Sequence, residues 1–161
     1  MSRSRLVRFP NEAPDALAAE LAEGGMVPAD ARWLARRCWG CPGLARGLAD
    51  MRLHEFNREL VERLGRLALE DNFELSDWLI GLAREGKKAG PEARDALQEL
   101  LECVVVYYRD LALEAAGQRA ELRMDQADLA LEALERIGAN ANRQLALDNL
   151  FTALALRQPF D

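Results

Sequence analysis

Seventeen residues near the C-terminus, Asn140 to Leu156 (NANRQLALDNLFTALAL), leave this chain the least choice of fold. Leu147, Leu150, Phe151 and Leu154 fall at i, i+3, i+4 and i+7, which puts one apolar stripe on a helix and is incompatible with a strand of period two. An asparagine side chain accepts a hydrogen bond from an amide of the first turn, so Asn140 or Asn142 is expected to cap this helix. The helix ahead of it is expected over Asp125 to Ile137. Its stripe is Ala127, Ala130, Leu131, Leu134 and Ile137. A short polar link between the two predicts antiparallel neighbours.

The same spacing runs backwards through the chain. Pro91 is expected to open the longest helix, with Ala93, Leu97, Leu100, Leu101, Val104, Tyr107, Tyr108 and Leu111 on a broad apolar surface and Gly117–Arg123 as a polar connection after it. Cys103–Tyr108 (CVVVYY) has strand-like composition, but no turn residue flanks it and it keeps the helical register. Two helices precede. One carries Leu53, Phe56, Leu60, Leu64, Leu67 and Ala68; the other, capped by Asp71 or Asn72, carries Leu75, Trp78, Leu79, Leu82 and Ala83 and ends in a loop over Glu85–Gly90.

Before Asp50 the helices are shorter. The first runs from Pro14 to about Glu23 and stops at Gly24-Gly25; the second starts at Pro28, shows Ala31, Leu34, Ala35 and Cys38 on one face and stops at Gly40. After the turn Gly40-Cys41-Pro42-Gly43, a third begins with Leu44, Ala45, Leu48 and Ala49. The expected fold is therefore all-α: a small three-helix domain over residues 1–50, then a helical bundle over 51–161.

Composition narrows the chemistry. With 161 residues, half of them apolar, the chain can bury a real core, and its net charge of −6 supplies no general pull toward nucleic acid or anionic membrane. No apolar run approaches a membrane span and the N-terminus has no apolar signal core, so a cytoplasmic protein without membrane contact is expected. Three cysteines, Cys38, Cys41 and Cys103, argue for reduced thiols. His54 is the sole histidine, which excludes a two-histidine metal site and leaves a serine nucleophile without a good base. Cys38-Trp39-Gly40-Cys41 has redox-motif spacing, but its first cysteine closes a helix on the apolar face, so a packed thiol and a turn thiol are expected and no metal. Glu99 with Glu102 and Glu132 with Glu135 lie on polar helix faces, where solvation accounts for them. Trp33, Trp39 and Trp78 read as core or interface residues, since no basic stripe accompanies them in the sequence.

Several segments together resemble the delta-prime and gamma/tau family of bacterial DNA polymerase III clamp-loader subunits. In that family a long helix bearing Arg-Asp-Leu is followed by Asn-x-Asn and a Leu-Ala-Leu-Glu-x-Leu helix; here stand Arg109-Asp110-Leu111, Asn140-Ala141-Asn142 and LALDNL from Leu145 to Leu150. Gly40–Ala49 (GCPGLARGLA) is similar to the Gly-Ser-Pro-Gly turn and following helix of the family's small lid domain, and Ser2-Arg3-Ser4 to the Ser-Arg-Cys segment that leads into it. The resemblance implies a lid followed by a collar domain, and a role in DNA replication as an assembly piece of the loader ring. Its partners would be the gamma/tau and delta subunits, met through the collar, with DNA reached only through the complex. Arg109, Asp110, Asn140, Asn142, Leu147, Leu150 and Phe151 would then belong to the collar interface, and in the full-length subunit Arg3 would act in trans on ATP held by a neighbouring subunit.

Departures from the family pattern limit that carry-over. No Walker motif or alternating αβ region is present, so no cofactor and no ATP hydrolysis by this chain alone are expected. Gly43 stands where gamma-type ATPases carry a nucleotide-contacting arginine, which favours the delta-prime type. The stretch between Arg109 and Asn140 is short, as though one collar helix were absent. Two other readings stay open: a free-standing helical adaptor or regulatory bundle, and a small enzyme using Cys38 and Cys41.

Overall fold

The computed structural model describes residues 12–68, 71–86, 96–139 and 141–158. Among these there are eight helices and no strand, so the chain is all-α. The chain divides into two compact units, Met1–Glu59 and Leu60–Asp161. The division falls inside a helix, beyond the boundary near Asp50 that the three short helices suggested.

In the first unit α1 (Pro14–Glu23), α2 (Pro28–Arg37) and α3 (Pro42–Asp50) each open on proline, which removes a donor that would otherwise be unpaired, and none has a side-chain cap. α2 packs on both α1 and α3. The core is small-sided: Leu17, Ala18, Ala31, Leu34, Ala35, Cys38, Ala45, Leu48 and Leu53 are buried. Leu44, in the first turn of α3, holds the right spacing for that core but is 47% exposed.

The turn after α2 is built from backbone. Gly40 N–H donates to the Ala35 carbonyl (3.1 Å) and Trp39 N–H to that of Arg36 (3.1 Å), closing the helix with Trp39 and Gly40 at φ 51° and 71°. Glu12 N–H then donates to the Gly40 carbonyl at 2.8 Å, and a Cβ at Gly40 would stand 1.8 Å from the Glu12 carbonyl oxygen. Only glycine fits this approach.

α4 (Leu53–Gly65) crosses the division; from Leu60 onward it belongs with α5 (Asn72–Gly86), α6 (Ala96–Glu114), α7 (Gln118–Gly138) and α8 (Arg143–Ala155). α6 and α7 form a helical hairpin with the most extensive pairing of the molecule, and α8 packs on α5 and α7. Cys103–Tyr108 is helical, as its register predicts.

Two boundaries differ from expectation. α7 is the longest described helix and begins at Gln118, since Gln118–Arg123 are good helix formers whose polarity marks a solvated first turn rather than a connection; the real break is Gly117, at φ 57°. That helix also fills the stretch that looked short between Arg109 and Asn140. α5 continues to Gly86, into the expected loop. Pro91, Ala93 and the other expected residues before Ala96 lie outside the described ones.

Candidate functional site

The residues expected to form a collar interface separate into three groups. Leu147 and Phe151 are wholly buried and Leu150 nearly so, all inside the second unit's own core together with Leu154. That corrects their assignment as interface: the stripe of α8 is consumed by α5 and α7 and has nothing left for a partner. Asn142 is exposed and acts locally, its Oδ1 accepting from Leu145 N–H at 3.1 Å as the cap of α8. Arg109 and Asp110 are half-exposed and paired with one another, Arg109 Nη2 and Nε donating to Asp110 Oδ1 at 2.7 and 3.0 Å. Asn140 and Arg3 lie outside the described residues.

What the second unit offers to solvent is a different set. Leu113, Met124, Leu131, Leu145 and Leu156 stand exposed on α6, on α7, on α8 and just beyond it, and Phe73 on α5. Leu131 was expected in the core of α7; it is 43% exposed, because Ala127, Ala130, Ala133 and Ile137 turn the buried face elsewhere. Alanines occupy most of the buried face of α7, and the larger Leu131 is left outside it. On α8, Leu145 and Leu156 lie eleven residues apart, three turns, on the side opposite Leu147 and Leu154.

Polar groups fix the seam beneath this surface. Asn72, the first residue of α5 rather than its cap, is buried; its Nδ2 donates to Thr152 Oγ1 (2.6 Å), which itself donates to the Asp148 carbonyl (2.7 Å). Ser76 Oγ donates to the Asn72 carbonyl, and Gln144 Nε2 bridges Asp77 and Asp148. Buried Gln126 donates to the Arg157 carbonyl and accepts from Arg123, while Gln158 donates to the Leu64 carbonyl. No sequence signal short of a contact map pairs Asn72 with a threonine 80 residues away.

Tyr107 and Tyr108 close the same end, their rings edge-to-face at 5.0 Å. Burial raises both phenol pKa values, and the Arg123 charge partly offsets it. The Tyr108 hydroxyl, fully buried, finds no well-formed hydrogen bond, although the Gln158 amide stands close enough to act on it.

The first unit holds an open groove of about 690 Å³ between α1, α3 and the start of α4, lined by Glu20, Met26, Asp30, Arg46, Asp50 and His54 among others. Its charges are engaged: Arg46 Nη2 meets Glu20 Oε1 at 3.0 Å, and Arg58 pairs with Asp30. Arg52 beside Glu55 holds that carboxyl below its ordinary range. These pairs tie α1 to α3 and α2 to α4. Among the described residues no three metal-ligating side chains converge; Cys38 and Cys103 are buried and in no disulfide, and Cys41 is half-buried at the start of α3. No described helix is long and apolar enough to cross a membrane.

Trp33 and Trp78 are half-buried, the latter beneath the Arg63 guanidinium at 4.4 Å from the ring centroid. Trp39 departs from them at 72% exposed. Comparison with known protein families, with characterised proteins and with solved structures returns no match in any of the three.

Proposed function

We propose that this chain is a non-catalytic assembly module of the clamp-loader type, a lid-like unit followed by a collar-like one that joins gamma/tau and delta subunits into a ring during DNA replication. The observation that carries the reading is the surface of the second unit. Its own core is filled, yet five large apolar side chains on α6, α7 and α8 or at their ends face water, as they would where helices are meant to lie against other helices. The Arg109-Asp110-Leu111 and Asn142-capped LALDNL segments support it by their order and spacing along the chain. On this reading the partner-facing residues are Leu113, Met124, Leu131, Leu145 and Leu156, with Arg109 and Asp110 at the edge, in place of the buried stripe.

Leu145→Glu with Leu156→Glu in the full chain tests it. Helix content by circular dichroism should be unchanged, and co-purification with clamp-loader ATPase subunits should be lost. A wild-type chain that forms no complex with those subunits would overturn the clamp-loader reading and leave the free-standing adaptor. Arg3, on the same reading, is the residue that reaches ATP on a neighbouring subunit. In a full-length subunit that carries the nucleotide-binding domain, Arg3→Ala should then leave assembly intact and lower stimulated ATP turnover by up to the ~10³-fold low end known for such arginines.

A further inference from the structure

Charge is unevenly divided along the chain. Residues 1–59 hold nine basic side chains against eight acidic, and residues 60–161 hold twelve against nineteen. Within the first unit, Arg32 and Arg36 lie four residues apart on the exposed face of α2, about 6 Å along its axis. The ion pairs described in this unit, Arg46–Glu20, Arg58–Asp30 and Arg52–Glu55, engage neither of them. A basic residue in the last turn suits the helix dipole, which accounts for Arg36 but not for Arg32 in mid-helix.

Trp39 follows directly. It sits at φ 51° in the position that ends helices, where glycine is usual and any other residue is strained, and it is 72% exposed. Neither backbone preference nor packing accounts for an indole there, and such strain is a pointer to function.

We propose that Arg32, Arg36 and Trp39 form a contact for a short stretch of single-stranded nucleic acid, the guanidinium groups holding successive phosphates and the indole face stacking on a base. Two cations with no ion pair among the described residues select an anionic ligand. The choice between a nucleic acid strand and an acidic peptide follows from the shape around Trp39: a peptide side chain needs a pocket to enter, whereas a base needs only a flat face. The groove of this unit is lined by other residues and includes none of these three. Duplex bases are already stacked, so the ligand is single-stranded. The inference is independent of the assembly reading.

Titration of the full chain with a short fluorescein-labelled oligodeoxyadenylate at low salt, followed by anisotropy and indole emission, tests it. Binding with quenched indole emission is expected. Trp39→Gly should weaken binding roughly 5- to 150-fold while raising the thermal midpoint roughly 2–4 °C by relieving the left-handed strain. Arg32→Ala and Arg36→Ala should each reduce the slope of log affinity against log salt by about 0.7, and Trp39→Phe should keep most of the affinity. Unchanged affinity in a folded Trp39→Gly variant, absence of binding at low salt, or equal quenching and full competition by polyglutamate would each overturn the proposal, the last in favour of an acidic protein partner.

Discussion

The two units of this protein are both helical, but they are held by different means. In the first, helices begin on proline without side-chain caps, the core is largely alanine and leucine, and the decisive contact is backbone to backbone, Glu12 against Gly40. In the second, long helices bury Tyr108 and Phe151, α8 has a side-chain cap, and buried Asn72 and Gln126 reach residues far away in sequence. Short helices cannot bury enough side chain to set their own geometry, so turns must do it; long ones can, and polar bridges then choose among similar packings.

The largest expected effect is in the second unit. Phe151→Ala should lower stability by about 3–5 kcal/mol, read as a shift in the denaturant midpoint. A folded variant that loses only partner binding would show that α8 presents this side chain outward after all. Next comes the backbone contact of the first unit. Gly40→Ala should cost about 2 kcal/mol or more, from the left-handed conformation and the collision with Glu12, and should increase amide exchange in the first unit only. Exchange changes spread equally over both units would erase the contrast.

Asn142→Ala should cost about 1 kcal/mol and fray the start of α8, while Ala13→Asn ahead of α1 should gain less, because Pro14 already relieves one unpaired donor. The smallest effect is confined to alkaline solution. Because burial raises the phenol pKa values of Tyr107 and Tyr108, the folded chain keeps protons that the unfolded chain releases near pH 10. Stability from this source is constant below that pH and falls as pH rises above it. Tyr108→Phe should flatten the fall, measured as the pH dependence of the denaturant midpoint, with little change near neutrality, since its hydroxyl makes no well-formed hydrogen bond.

Much of the architecture was decided locally and could be read from residue order. Apolar spacing of three and four residues identified the helices through Ile137 and Leu154, prolines marked the starts of α1 and α2, while Pro42 was read as part of a turn although it opens α3, and Asn142 was legible as a cap because its partner is only three residues away. Interactions within one turn depend on the chain alone. Which side of a stripe faces inward, and what remains for a partner, depends on neighbours. Leu131 and Leu147 have the same spacing credentials, yet the first is exposed and the second is buried, because alanines occupy most of the buried face of α7 while α5 and α7 pack on α8. The proposed interface consequently moved from Leu147, Leu150 and Phe151 to the outward residues. The apolar face of Ala31, Leu34, Ala35 and Cys38 was legible from spacing, but the exposure of Trp39 beside Arg32 and Arg36 was not, since it follows from the left-handed turn that ends α2.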